Sequence, residues 1–307
     1  MKGWILYKRN SFELTAEDYG VNRLRQAAAT LGIVIEVYKP EQFDVLVTSE
    51  ASNTLFLDKV PCCVPDFLIP RMGADTTYFA LSIIRQLEQR GVYVCNNSAA
   101  ILTVKDKMHM GQKLMGAGLP TPKTMLVKFP VCVEQVQREL GFPVVIKTLS
   151  GAKGFGVHLC ESAAGLNDLM ELMSMQPCIH EMILQAFVTT SYGRDLRAFV
   201  VGDQVVGCMQ RTSTRGFKAN FSLGGHVQAV PITSEIEHLA RMSTRLFGLD
   251  IAGVDLLFES DGFTICEANS APGFKGMEQA TGVDIAMQIM NYIQHVVINS
   301  TSIVPSK

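Results

Sequence analysis

Two acids and an amide stand out in one stretch of the chain, Ile251-Ala-Gly-Val-Asp255-Leu-Leu-Phe-Glu259-Ser-Asp-Gly262-Phe-Thr-Ile-Cys-Glu267-Ala-Asn269. Apolar runs on both sides of Ser260-Asp261-Gly262 predict a β-hairpin. A three-residue loop with Gly262 in the left-handed region is closed by Glu259 and Phe263. Counting back from that pair sets Asp255 directly across from Glu267, with Asn269 two residues on and sharing its face. Opposed side chains lie ~5 Å apart, and two carboxylates there repel by roughly 3 kcal/mol at an effective dielectric of ~20. Apolar strands also reject charge, so the arrangement calls for a cation. Two carboxylates and an amide oxygen, without His or Cys, make the hard-oxygen set that suits Mg²⁺ or Mn²⁺. A carboxyl pair sharing a proton, or strand ends held in water, is the alternative.

The second signal is Val144-Val-Ile-Lys147-Thr-Leu-Ser150-Gly151-Ala-Lys-Gly154-Phe-Gly156-Val157. Its three glycines lie between two predicted strands and free backbone N–H groups to approach phosphate oxygens. Lys147 adds a point charge at the strand end. A flexible turn explains the glycines equally well, and no G-K-[ST] sequence follows to make a P-loop. Lys107, Asp195, Arg211, Lys218 and Asn220 each read alone as surface or loop residues. Together, cations from several segments around a carboxylate-amide triad describe a polyphosphate site. No Ser-His-Asp or Cys-His set has credible spacing, so a covalent enzyme intermediate is unsupported. His158 and His180 lie in apolar stretches and read as core residues.

These groups need a scaffold, and the pattern supplies one in three parts. Trp4 to Tyr7, Ile33 to Tyr38, Phe67 to Ile69 and Val92 to Cys95 alternate with helices at Asp18 to Leu31 and Thr77 to Arg90. That rhythm predicts a small parallel sheet with helices on its faces. Functional groups collect at the carboxyl ends of such strands, which makes Arg71 a substrate-contact candidate as well as a possible surface ion pair. Asn96-Asn97-Ser98 reads as a turn and cap before one helix running through Lys105-Asp106-Lys107 to Met115. Strand, helix and strand follow, then a Met-rich helix at Leu166 to Met173 whose stripe is core packing. Beyond Val188 the strands lengthen, a helix spans Ser234 to Phe247, and Ile285 to Val297 closes the fold ahead of a frayed tail.

Composition narrows the class. The 307 residues are 48% hydrophobic and 18% charged, enough for buried cores and too apolar for a disordered chain. With 27 basic and 29 acidic residues the net charge is −2, which argues against a nucleic-acid or membrane-surface coat. No apolar run reaches the ~20 residues of a membrane span. The start reads as a first strand and not as a signal peptide. The eight cysteines show no C-x-x-C spacing and fit reduced thiols in a reducing compartment, so a cytoplasmic protein is expected.

In their joint order, Ile69-Pro-Arg-Met-Gly73, Lys105-Asp-Lys107, PVVIKTLSGAKGFGV, GRDLRAFVVGDQVVG, AGVDLL and CEANSAPGFKGMEQATGVDIA resemble the ATP-grasp superfamily. Within it the chain is similar to the RimK-type α-L-glutamate ligases over nearly its whole length. The resemblance implies an α/β and α+β ATP-grasp fold. Residues 1–96 would form an N-terminal substrate domain, 97–185 a central lobe, 186–300 a C-terminal lobe with the metal site, and 301–307 a tail. It implies that Lys107 and Lys147 hold ATP phosphates and that Ser150, Gly151, Gly154 and Gly156 belong to a flexible lid. Gln185, Ala186 and Phe187 would surround adenine, Asp195 would bind ribose, and Lys218, Ala219 and Asn220 would contact the nucleotide. Arg211, with Lys147, would face the transferred phosphoryl group as the catalytic pair. Asp255, Glu267 and Asn269 would bind two Mg²⁺ or Mn²⁺ ions, Glu267 bridging. Ala186 stands where the family often has Glu, and Ala219 replaces a more polar residue.

The implied activity is an ATP-dependent carboxylate-amine ligase that works through an acyl phosphate. It would add L-glutamate to an amine-bearing small molecule, peptide or protein. Another ATP-grasp ligase, or a non-catalytic ATP-binding module, is the alternative. The family's dimers and tetramers make a homo-oligomer an open expectation.

Overall fold

The computed structural model describes residues 1–49, 54–149, 156–175, 181–214, 216–219, 221 and 224–301. Ser150, Gly151, Gly154, Asn220, His180 and the tail from 302 to 307 lie outside the described residues.

The N-terminal unit runs β1 (Lys2–Leu6), α1 (Tyr19–Thr30), β2 (Val34–Tyr38), β3 (Phe43–Val45), β4 (Leu55–Leu57), β5 (Val60–Pro61), β6 (Phe67–Pro70), α2 (Tyr78–Gln89) and β7 (Tyr93–Val94). Strands β2-β1-β6-β7 form the expected parallel sheet. The strands β3-β4-β5 make a small separate sheet that the apolar pattern did not announce, because each is only two or three residues long. Gly32, with φ +68°, ends α1 as read from the sequence.

A buried carboxylate ties down the loop that leaves β1. Asp18, 3% exposed, accepts from the Tyr7 hydroxyl at 2.9 Å, the Arg9 guanidinium at 2.6 Å and the Thr15 amide at 2.9 Å. Burial pushes its pKa up, but the bonds from Thr15, Arg9 and Tyr7 outweigh it and hold the group at about 2. A folded pKa below the unfolded ~3.9 gives stability that is complete above that value and lost as pH falls toward 2, worth about 2 kcal/mol. Asp18→Asn is expected to remove about that much at neutral pH and to flatten the acid decline. Urea denaturation repeated across pH checks both.

The middle of the chain departs from the single expected helix. Two helices, α3 (Ser98–Lys105) and α4 (Lys107–Gly116), meet at Asp106, whose extended backbone breaks the first and whose carboxylate caps the second by accepting from the His109 amide at 2.9 Å. Lys107 therefore opens a helix instead of lying inside one. Next come β8 (Thr124–Val127), α5 (Val133–Glu139), β9 (Val144–Thr148), β10 (Val157–Cys160), α6 (Ala163–Ser174) and β11 (Met182–Ala186). They build an antiparallel sheet in the order β10-β9-β11-β8, with a core of its own from Val133, Val136, Val144, Ile146, Leu166, Met170, Met182 and Leu184. His158, read as a core residue, is exposed instead, although it stands on edge strand β10 across from Ile146 and two residues from buried Cys160.

The C-terminal unit contains β12 (Arg194–Val201), β13 (Gln204–Thr212), β14 (His226–Ala229), α7 (Ser234–Phe247), β15 (Ile251–Glu259), β16 (Gly262–Asn269), α8 (Lys275–Thr281) and α9 (Ile285–Thr301). Its antiparallel sheet has the order β14-β13-β12-β15-β16. One face packs Leu196, Ala198, Val254, Leu256, Ile265 and Ala268 against α7, together with Ala100, Met110 and Leu114 of α3 and α4. The other end shares a core with the N-terminal sheet: Ile5, Leu24, Phe67 and Ile69 cluster with Phe199, Ile251, Met277, Ile285 and Ile289. The seven described cysteines are free thiols, of which Cys95, Cys160 and Cys208 are buried and Cys63 and Cys132 exposed. Among the described residues no helix is long and apolar enough to cross a membrane.

Candidate active site

The hairpin of β15 and β16 reaches the expected alignment by a different route. Its closing pair is Glu259 and Gly262, so the loop is Ser260-Asp261, one residue shorter than expected. Carried on without interruption, that pairing would set Cys266 across from Asp255. The register instead shifts between Asp255 and Leu256, and Asp255 pairs with Glu267 while Gly253 pairs with Asn269. The bulge has a packing cause. Ile265 and Ala268 both belong to the core under α7, with Phe263 packed against it, and an unbroken strand cannot present 263, 265 and 268 to one face.

Asp255 does not depend on a metal for its counter-charge. Arg197, its cross-strand neighbour on β12, donates Nε to Oδ1 and Nη2 to Oδ2, both at 2.6 Å. Arg211 on β13 reaches the same Oδ2 at 2.9 Å and holds Asp195 by two further bonds of 2.6 Å. Gly253 makes room for this: a Cβ there would lie 3.3 Å from Arg197 Cδ and 2.8 Å from Pro272 Cβ. The sequence reading passed over Arg197; period-two alternation from Asp195 was the signal that could have found it.

Burial pushes Asp255 up, but Arg197 and Arg211 overcome it and its pKa falls to about 2. Arg211, although burial works against its charge, is held firmly protonated by Asp255 and Asp195. Asp195 is raised, chiefly by burial, with Arg211 opposing. Expected to face a ribose, Asp195 spends both carboxylate oxygens on Arg211.

The triad has room for a hard cation. Among the described residues the half-buried Glu267 carboxylate makes no hydrogen bond or ion pair. Asn269 donates Nδ2 to the Gly253 carbonyl at 3.2 Å, which leaves its Oδ1 to accept. Asp255 Oδ1 keeps one lone pair beyond its bond from Arg197. No cluster of three His, Cys, Asp or Glu side chains arranged for a metal occurs among the described residues, so an amide has to complete any such set. The donor set fits Mg²⁺.

The lysines come from the facing sheet. Lys147 on β9 donates to Gln185 Oε1 at 2.7 Å and lies 3.8 Å from the sulfur of Cys266, beside Glu267. Gln185 in turn donates to Thr124 Oγ1 at 2.9 Å. Lys107 approaches the Leu149 carbonyl at 3.3 Å; burial lowers its pKa, and Glu267 works against that. Gly156, with φ +69°, closes the β9–β10 turn where a Cβ would meet Thr148 Oγ1 at 2.4 Å. After Ala186, Phe187 stands edge-on to Tyr192 and Phe217 at 6.0 and 6.1 Å. Lys218 lies 5.8 Å from the Phe217 ring centre, and Ala219 is buried.

Arg71 sits at the carboxyl end of β6, where the parallel sheet meets the loop after β16. It donates to the Pro272 carbonyl at 2.8 Å, lies 5.6 Å from the Phe274 ring centre and pairs with no carboxylate among the described residues. Burial lowers its pKa to about 10.

Comparison with known proteins identifies the family. A RimK-like ATP-grasp domain model matches residues 104–293, and a RimK pre-ATP-grasp domain model matches 12–101. A probable alpha-L-glutamate ligase of Haemophilus influenzae is 32% identical over 284 residues, covering 90% of this chain and 93% of the relative. Another from Rhodopirellula baltica is 35% identical over 277 residues, covering 90% and 68%. Among solved structures, the ATP-grasp ligase PsnB complexed with minimal precursor, Mg and ADP has a TM-score of 0.72 at 18% identity, over 97% of this chain and 98% of that one. D-alanine–D-alanine ligase of Bacillus anthracis complexed with ATP has 0.67 at 14%, over 98% of both. The chain is an ATP-dependent ligase and belongs to the RimK-like ATP-grasp family.

Proposed function

We propose that the enzyme joins the carboxylate of one substrate to the amine of another, adding L-glutamate to an amine-bearing small molecule, peptide or protein. The observation that carries this is the single rung on which Arg197, Asp255 and Glu267 stand side by side, with Lys147 reaching across from the facing sheet. A carboxylate oxygen of the acid substrate attacks the γ-phosphorus of ATP, the bond to the β-phosphate oxygen breaks, and ADP leaves. The amine nitrogen then attacks the acyl carbon, the carbon–oxygen bond to phosphate breaks, and the nitrogen gives up a proton.

In this reading Asp255, Glu267 and Asn269 hold two Mg²⁺ ions, which when bound supply charge neutralisation at the phosphate oxygens. Lys107, Lys147 and Arg211 stabilise the negative charge of the phosphoryl group, the largest electrostatic contribution available to the chain. Asp195 orients Arg211. Gln185, Ala186 and Phe187, with Lys218 and Ala219, bound the place for the adenine nucleotide, and Gly156 shapes the turn over the phosphates. Arg71, a guanidinium without a carboxylate partner among the described residues, receives a substrate carboxylate. The probable alpha-L-glutamate ligases among the relatives support glutamate, and the precursor peptide bound to PsnB supports a peptide acceptor.

Phosphate and ADP should appear only when ATP, Mg²⁺, an amino acid and an amine acceptor are all present. Mass spectrometry of the acceptor should show the mass of a glutamyl residue. A different increment would redirect the choice of amino acid, and nucleotide binding without turnover across a broad panel of acids and amines would remove the ligase reading.

A further inference from the structure

The side chain of Asn96 is 1% exposed and uses every hydrogen-bonding position it has. Its Oδ1 accepts from the amides of Asp250 at 2.6 Å and Ile251 at 2.9 Å. Its Nδ2 donates to the carbonyls of Ile251 and Ser270, both at 2.7 Å. Asn96 belongs to the N-terminal unit, two residues past β7, whereas all four partner groups belong to the catalytic hairpin and its approaches.

The last backbone pair of β15 and β16 on this side is Gly253 with Asn269. Beyond it the two chains separate, and Asn96 spans them: one amide group holds Ile251 on one strand and Ser270, next to Asn269, on the other. It is in effect one more rung of the ladder, supplied from outside the sheet. A strand pair with a bulge two residues earlier has weakened backbone control of its end, so an external rung is what fixes where Asn269 points.

We propose that Asn96 is a positioning residue for the metal site: by clamping Ile251 and Ser270 it sets Asn269 and Glu267 against Asp255 and thereby raises divalent-ion affinity. The inference rests on the reading of Asp255, Glu267 and Asn269 as metal ligands. Outer-shell partners that orient ligands are typically worth about 10- to 100-fold in metal affinity. Asn96→Asp is the sharpest change, because it keeps the shape and the acceptor while placing an oxygen against two carbonyls 2.7 Å away.

The test is Mn²⁺ binding, followed by EPR, in the presence of a non-hydrolysable ATP analogue. Asn96→Asp is expected to weaken Mn²⁺ binding by about tenfold or more. Tyr93→Phe serves as the comparison: it removes the 3.0 Å bond to Asp250 at the same seam without touching the hairpin's exit. It should lower thermal stability and leave Mn²⁺ affinity within about twofold of wild type. Wild-type affinity in folded Asn96→Asp, with Glu267→Gln impaired, overturns the Asn96 role alone. Wild-type affinity in Glu267→Gln overturns the metal reading and this inference with it. Should Asn96→Asp not fold, hydrogen exchange of the wild type decides. By linkage, adding Mg²⁺ to the nucleotide-loaded enzyme should slow exchange of the Asp250 and Ile251 amides by about threefold or more, and no slowing overturns the proposal.

Discussion

Glu267→Gln should lower turnover at least about a hundredfold, equivalent to roughly 2.7 kcal/mol of transition-state stabilisation. The carboxylate is half-buried, stands across from Asp255 and has no hydrogen-bond or ion-pair partner among the described residues. A structural role would have given it one. The neutral amide keeps the shape but weakens the grip on a divalent ion, and the loss falls on the step in which phosphoryl charge develops. Stability should hardly change, because the substitution also removes a repulsion with Asp255. Steady-state ADP release at saturating ATP and substrates, measured beside a thermal melt, separates the two effects. Unchanged turnover would contradict a metal-binding role for Glu267.

Arg211→Met should have its main effect on the fold. Arg211 is 2% exposed and serves Asp195 and Asp255 at once, so its removal leaves buried Asp255 with Arg197 alone and takes both hydrogen bonds from the partly buried Asp195. Breaking a buried pair by deleting one partner typically costs about 3–5 kcal/mol. Arg211→Lys should recover part of this, since it keeps the charge and loses the paired geometry to Asp195. Urea denaturation reads the difference. A loss below about 1 kcal/mol, the range of an exposed pair, would show that Asp195 and Asp255 are held by something other than Arg211.

Much of the fold was legible because it is written in apolar spacing. The helix at Tyr19–Thr30 and the four parallel strands fall within a residue or two of their expected places. The break at Asp106 was not visible as periodicity, since Leu102, Met110 and Leu114 keep a helix-like spacing across it; only the capping preference of Asp marked it. The hairpin shows how a correct pairing came from a wrong loop. Assuming one residue too many in the turn cancelled against ignoring a bulge near Cys266. The parity change from Phe263 and Ile265 to Ala268 was in the sequence and would have revealed both. Arg197 and Asn96 were harder to see. Each acts on residues far along the chain, 58 and up to 174 positions away, and no local pattern records such a distance. The exposure of His158 shows the limit of apolar neighbours as a guide at a sheet edge.

The distribution of cores carries a consequence for motion. The first and last parts of the chain are welded: Leu24 and Phe67 share packing with Ile285 and Ile289, and Asp250 is gripped by the hydroxyls of both Tyr93 and Tyr292. Separating them would tear open an apolar seam. The sheet that carries Lys147 has an apolar core of its own and, among the described residues, approaches its neighbours through long polar contacts, Lys147 to Cys266 at 3.8 Å and Lys107 to the Leu149 carbonyl at 3.3 Å. A sheet with a core of its own, set against a welded pair, is the piece expected to move as a rigid jaw when the enzyme opens.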